Sequence, residues 1–417
     1  MQVLKLWAIC LLFIVEIVSA NAQQPSWSRH VAILCDSFAG RGYTFDGVNR
    51  AAQYLSNEYK NIGLQPLQGS DYLLPYTMPV NTFPGKMDLT IDGKKLKPGI
   101  DFLVDPASTG IHTTSTITTV DLKNNPKAIN KKLRTALFVK EAGDVFKGRR
   151  NNIAAITSNA KRKLYLLPRR EKPLWWVATD TLNATVIYLY DTAIINQELH
   201  KINADIESRF EPKFKTANIA GYIKGTQNPD SFLVISAHYD HLGTMGDAAI
   251  FLGASDNASG VAMLLQLASY FKEHPPKYSV AFLLFSGEEA GLLGSSHYVA
   301  NPVFPLANIK LLVNLDIMGD ASEGITVVNG SVHKALFEQI KLYNEEISKP
   351  LPQIVARGAA ANSDHYPFSE AGVPAIFIYS NGGKGFYHDT WDRPETLSYN
   401  NIDAVYELLQ ELGRKIR

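Results

Sequence analysis

From Ala217 onward, short runs of apolar residues alternate with segments of helical periodicity, and this alternation constrains the fold more than any other feature of the chain. The apolar runs are Phe232 to Ser236, Val280 to Phe285, Leu311 to Leu315, Ile325 to Val328 and Ala375 to Tyr379. Between and after them, Val261 to Phe271, Glu289 to Val299, Val332 to Ile347 and Ile402 to Leu412 carry helical spacing. A run such as Ala281-Phe282-Leu283-Leu284-Phe285 has no polar face, so it must be covered on both sides. The pattern predicts an α/β fold with a mixed, mostly parallel central sheet and helices on both faces. Open sheets of this kind bind ligands beyond the carboxyl ends of their strands, so the polar residues just after each run are the ones to examine.

The rest of the chain divides around this pattern. Asp46 to Leu64 reads as a helix, with Val48, Ala51, Ala52, Leu55 and Ile62 near helical spacing and Gly63 as its stop. From Gly85 to about Ala204 the texture changes to short β-rich runs: Thr113 to Val120, Ala136 to Val139, Trp175 to Ala178 and Thr185 to Tyr190. Trp175 and Trp176 read as one core residue and one partly exposed neighbour. Between Lys86 and Lys172 stand 19 Lys or Arg against 8 Asp or Glu, although the whole chain carries only +1. A run such as Lys161-Arg162-Lys163 reads as a solvated turn. The overall balance gives no electrostatic case for nucleic acid as a partner. The expected organisation is a leader over 1–22, a catalytic domain over 23–85 and 214–417, and an inserted β-rich domain over 86–213.

The leader is expected because Lys5 precedes the apolar run Leu6 to Val15, and Ala20-Asn21-Ala22 fits a cleavage site before Gln23. Such a run is too short for a membrane span, which needs about 20 residues. Export to a periplasmic or extracellular location follows as an expectation. Removal of the leader with Cys10 leaves Cys35 without a partner for an internal disulfide. Within Val31 to Leu34 and beyond, Cys35 reads as a buried thiol rather than a nucleophile.

Each strand end carries chemistry. After the first comes Ala237-His238-Tyr239-Asp240-His241, where extended geometry puts His238 and Asp240 on one face, as a metal ligand and its orienting carboxylate require. Gly253-Ala254-Ser255-Asp256-Asn257-Ala258-Ser259-Gly260 leads into a helix, and Asp256 reads either as an ordinary N-cap or as a ligand with room for a metal around it. After the second strand, Glu288 and Glu289 read either as acids favoured by a helix dipole or as a ligand beside a proton carrier. Asp316 ends the third run, where a buried carboxylate needs a metal or basic partner. His388 follows a Gly-rich loop after the last. Together, His238, Asp256, Glu289, Asp316 and His388 are too many ligands for one tetrahedral zinc and fit two zinc ions sharing a carboxylate. Cobalt or manganese would suit the same donors.

These motifs, in this order, resemble those of the M28 family of dinuclear zinc peptidases, which includes secreted bacterial aminopeptidases. The resemblance covers roughly Ala217 to Leu397, and the N-terminal helix is also similar to the family's opening segment. It implies a zinc-peptidase-like fold in which Asp256 bridges two zincs, one completed by His238 and Asp316, the other by Glu289 and His388. Glu288 would be the general base that activates a metal-bridging hydroxide, and Asp240 would orient His238. Peptides are the implied substrates, cut at the N-terminal bond. Some members carry a disulfide and a tyrosine where this chain has Arg357 to His365, so Tyr387, His365 and Arg357 become candidates to assist the carbonyl oxygen. The competing activities are a carboxypeptidase, an N-acyl amino acid amidohydrolase, a glutaminyl cyclase and a non-catalytic binding module.

Overall fold

The structure, a computed structural model, describes residues 26–121, 136–141 and 163–416. The expected leader and most of the basic run around Lys161 lie outside these residues. Nine strands form the main sheet: β1 (Gln65–Pro66), β2 (Leu73–Thr82), β3 (Arg209–Ile223), β4 (Asn228–His238), β5 (Tyr278–Phe285), β6 (Ile309–Leu315), β7 (Gly324–Val328), β8 (Ile354–Ala356) and β9 (Ala375–Asn381). Their order is β1-β3-β5-β4-β6-β9-β7-β8, with β2 also paired to β3. The four central strands β5, β4, β6 and β9 run parallel, while β3 and β7 flank them antiparallel. All five apolar runs are therefore strands, each a little longer than its run.

Alternation along these strands feeds two cores. Leu233 and Ile235 of β4, with Val280, Phe282 and Leu284 of β5, pack into the larger cluster, which also contains helices α1 (Ser26–Asp36), α2 (Gly47–Ile62), α3 (Gly260–Glu273) and, near the C-terminus, residues of 402–415. Phe232 and Val234, with Ala281, Leu283 and Phe285, face the other side, against Tyr298 of α4 (Leu293–Ala300) and Phe368. Burial of apolar area on both faces, at about 25 cal/mol per Å2, is the main favourable contribution to this sandwich. The helix expected over Asp46 to Leu64 is α2, closed by Gly63 in the left-handed region with its N–H bonded to the carbonyls of Tyr59 and Lys60.

A second sheet of eight strands is built from residues between Met87 and Ile206 and shares no strand with the first. Thr113 to Val120 and Ala136 to Val139 lie in its strands, and so does Thr185 to Tyr190 except for Tyr190, one residue past the strand end at Leu189. Trp175 to Ala178 does not, and only Ala178 makes a single bridge, to Asn81. The reason is the indole: Trp175 is buried, stacked on Phe251 at 4.8 Å, and its Nε1 donates to the Val104 carbonyl at 2.8 Å, so the segment wedges between layers instead of pairing. The paired tryptophans do divide as expected, Trp175 in the core and Trp176 partly exposed.

Candidate metal centre

All five expected ligands meet beyond the carboxyl ends of β4, β5, β6 and β9. His238 is the last residue of β4 and Asp316 the first after β6. His238 Nε2 lies 3.2 Å from Asp256 Oδ1 and 3.3 Å from Asp316 Oδ1. His388 Nε2 lies 3.1 Å from Asp256 Oδ2 and 3.1 Å from Glu289 Oε2. The two oxygens of Asp256 thus face two different His–carboxylate pairs. Ligand atoms of His238, Glu288 and Asp316, and of His238, Asp256 and Glu289, form two groups in which all lie within 4.8 Å of one another. Two imidazoles and four carboxylates gathered this closely are the donor set of divalent cations.

Local structure explains how each side chain arrives. Asp256 is not an N-cap: helix α3 begins at Gly260, and Asp256 holds an extended conformation four residues earlier. Its segment is pinned by Asn257, whose Nδ2 donates to the Leu315 carbonyl at 2.9 Å while its Oδ1 accepts from Gly260 N at 2.9 Å. A Cβ on Gly260 would meet that Oδ1 at 2.2 Å, so only glycine permits this approach. Glu288 and Glu289 do not open a helix, because α4 starts only at Leu293. Gly287, at φ 74°, turns the chain back over the sheet edge after β5, and the carboxylate of Asp240 accepts the main-chain N–H groups of Glu288 and Glu289, both at 3.3 Å. Asp240 also accepts from the Tyr43 hydroxyl at 2.6 Å. Its contact with His238 is chiefly through its main-chain oxygen, 3.1 Å from Nδ1, with Oδ1 at 3.8 Å. Asp240 therefore orients His238 by its backbone and the glutamate turn by its carboxylate.

Several supporting residues were not singled out from the sequence. Ser363 Oγ donates to Asp316 Oδ2 at 2.9 Å and accepts from Asn314 Nδ2 at 2.8 Å, and Asn314 Oδ1 in turn accepts from Ser236 Oγ at 2.8 Å. The carboxylate of Asp392 accepts the N–H groups of Ser255 and Asp256 at 2.8 and 3.0 Å. His241, fully buried, faces Glu289 Oε1 through Nδ1 at 2.7 Å. Beneath the cluster, buried Arg41 donates to the carbonyls of Tyr239, Leu252 and Gly253 at 2.9, 2.8 and 2.7 Å. The segment that links two strands of the second sheet also reaches the centre, since the main-chain N–H of Trp175 donates to the His388 carbonyl at 2.9 Å, and Lys172 pairs with Asp389 and donates to the Gly385 carbonyl at 2.7 Å.

The electrostatics separate Glu288 from its neighbours. Burial alone would raise Glu289, but His388 beside it and hydrogen bonds from His241 and His388 hold it at about 2. Asp256 is likewise held low, against burial, by His238 and His388. Glu288 goes the other way: burial raises it well above the ordinary range, and the charges of Glu289, Asp364 and Asp316 add to this against the opposing His238. Of the candidates to assist a carbonyl oxygen, Tyr387 and Arg357 line the cavity of about 200 Å3 over the cluster, together with Glu288. His365 does not line it; it is buried against Phe377, with ring centroids 5.4 Å apart, and burial lowers it to about 4.

Residues 218–413 match the model of peptidase family M28, and the whole cluster falls inside that segment. Through this segment, a little under half of its length, the chain is similar to peptidase family M28. Among curated relatives, a probable zinc metalloprotease of Pyrenophora tritici-repentis is 36% identical over 115 residues, 26% of each chain. The aminopeptidase YwaD of Bacillus subtilis is 29% identical over 197 residues, covering 45% of this chain and 41% of that one. The matched segments thus span well under half of these relatives. In structure, BSAP, a zinc aminopeptidase from Bacillus subtilis, aligns over 92% of both chains with a TM-score of 0.69 at 18% identity. A peptidase M28 precursor from Shewanella amazonensis aligns over 96% of both with a TM-score of 0.66 at 17% identity. The fold of these two proteins therefore extends over nearly the whole chain.

Proposed function

We propose that this chain is a zinc-dependent exopeptidase, an aminopeptidase that holds two zinc ions. The observation that carries the reading is Asp256, with one oxygen on the His238–Asp316 side and the other on the His388–Glu289 side. His238 and Asp316 would hold one ion, Glu289 and His388 the other, with Asp256 shared. When bound, the ions supply the Lewis acidity that polarises the peptide carbonyl and makes the attacking water acidic. Glu288, raised in proton affinity and lining the cavity, takes a proton from that water on its carboxylate and returns it to the leaving amine nitrogen. Asp240 fixes the Glu288 backbone for this transfer. Tyr387 is stacked on His388, with ring centroids 3.9 Å apart, and desolvation with the nearby Asp256 and Glu289 charges keeps its phenol protonated, so it is the donor offered to the carbonyl oxygen. The curated relatives named zinc metalloprotease and aminopeptidase support the choice of ion and reaction.

In the same reading, 23–85 and 214–417 form the catalytic domain and 86–213 the insertion, supported by two sheets that share no strand. Export rests on the leader-like residues 1–22; among the described residues no helix is long and apolar enough to cross a membrane. The test is a peptide library with free N-termini run beside the same library N-acetylated, both with zinc-loaded protein. Loss of single N-terminal residues from the free peptides alone is the expected result. Loss of ammonia from N-terminal Gln, trimming from the C-terminus, release of an N-acyl group or no change at all would overturn it. Glu288→Gln should keep its zinc and lose turnover, whereas Asp316→Ala should lose zinc.

A further inference from the structure

The cavity over the cluster contains a cation that the proposed chemistry does not use. Arg357 lines it together with Asp256, Glu288 and Asp316, and it is exposed. Asp256 and Asp316 have histidine partners of their own. Among the described residues the Arg357 guanidinium pairs with no carboxylate and donates to no carbonyl. Its backbone, by contrast, is fixed. Arg357 follows directly on β8, its N–H donates to the Val327 carbonyl at 2.9 Å, and its carbonyl accepts from Ser331 N at 3.2 Å. A rigidly based guanidinium with no internal counter-charge, set at the mouth of a cavity with Phe377, Tyr379 and Tyr387 as apolar and aromatic wall, is built to meet an anion from outside.

We propose that Arg357 reads a carboxylate carried by the substrate next to the scissile bond. The planar fork of the guanidinium matches a carboxylate through two parallel N–H donors, which a lysine would not reproduce. That carboxylate has two sources, an acidic side chain on the residue being released or the free C-terminus of a dipeptide. The inference rests on the peptidase reading above. Arg357 is a specificity residue in it: with Tyr387 as the donor to the carbonyl oxygen, Arg357 drops out as a candidate for that role and no step assigned above uses its charge, so neutral substrates should be cut equally well without it.

The test compares wild-type, Arg357→Ala and Arg357→Lys proteins, zinc-loaded, on Glu-Ala, Gln-Ala and Leu-Ala, each with a free and an amidated C-terminus. For substrates bearing the recognised carboxylate, kcat/KM should fall roughly 10-fold or more in Arg357→Ala, as expected for loss of one charge-assisted pair, and recover in part in Arg357→Lys. The same substitution should change the matching neutral substrate less than about twofold. Dependence on Glu against Gln assigns the side chain, and dependence on free against amidated termini assigns the C-terminus. Equal losses for charged and neutral substrates, or no loss for either, overturn the proposal. If no peptide is cut, the peptidase reading fails separately. Calorimetric binding of L-glutamate against L-glutamine, and of L-leucine against L-leucinamide, to wild-type and Arg357→Ala protein then decides the inference. A carboxylate preference present only with Arg357 supports it, and its absence refutes it.

Discussion

Ser363→Ala tests the geometry of the centre without touching a ligand. The substitution removes one oxygen, Oγ, which is buried and joins Asn314 to Asp316 through contacts of 2.8 and 2.9 Å. Two costs follow. Asn314 keeps a buried N–H without an acceptor, which destabilises the fold by about 1–3 kcal/mol. Asp316 loses the donor that fixes its Oδ2 and leaves Oδ1 directed at His238, and loss of such an outer partner typically weakens a metal site by about 10- to 100-fold. That range corresponds to about 1.4–2.8 kcal/mol in zinc binding. The control is Ser236→Ala, at the far end of the same ladder, which removes the bond to Asn314 Oδ1 and leaves the Ser363–Asp316 contact intact. Urea unfolding of the metal-free proteins should show both variants destabilised. Competition for zinc against a chromophoric chelator should show weaker binding in Ser363→Ala only. Wild-type zinc affinity in Ser363→Ala, or an equal loss in both variants, would refute the argument that Ser363 acts through Asp316.

Other outcomes follow from neighbouring contacts. Arg41→Met should destabilise the fold by at least about 3 kcal/mol in denaturant titration, because the carbonyls of Tyr239, Leu252 and Gly253 lose a buried charged donor; a variant of wild-type stability would contradict this. Lys172→Met should loosen the loop that carries His388, seen as faster amide exchange at 385–389 and weaker zinc retention, while leaving the main sheet protected. Burial pushes the Cys35 thiol up to about 12, so at pH 8 its thiolate fraction is only about one in ten thousand. Peptide mapping after iodoacetamide should find Cys35 unmodified in the native protein and labelled in denaturant, and rapid native labelling would show that the pocket opens.

Much of the centre was legible because His238, Glu289 and Asp316 stand within four residues of the end of an apolar run. Once β4, β5, β6 and β9 are recognised as neighbours, His238, Glu289, Asp316 and the late His388 converge by topology alone. What lay beyond reach depended on turns. Gly287 in the left-handed region, and not a helix start, sets Glu288 and Glu289, so the helix expected over Glu289 to Val299 shrinks to Leu293–Ala300. His241 was visible in the motif Ala237 to His241, yet β4 ends at His238, and strand alternation says nothing about where a side chain three residues later will point. Asp392 and Ser363 sit in stretches without periodicity and meet their partners across 136 and 47 positions of sequence. Trp175 misled for a related reason: β-favouring residues describe a run's composition, whereas the indole's buried hydrogen bond to Val104 fixed its conformation.

The order of the ligands along the chain also gives the centre a history. During synthesis, which proceeds from the N-terminus, His238 and Asp256 emerge first, Glu289 and Asp316 later, and His388 last of the five. The Trp175 and Lys172 that steady the His388 loop have by then been waiting for more than half the sequence. A growing polypeptide therefore offers a cation only fragments of its coordination sphere, and the last fragment follows all nine strands of the main sheet in sequence. On the proposed reading, the chain would thus cut no peptide until His388 has joined the other ligands.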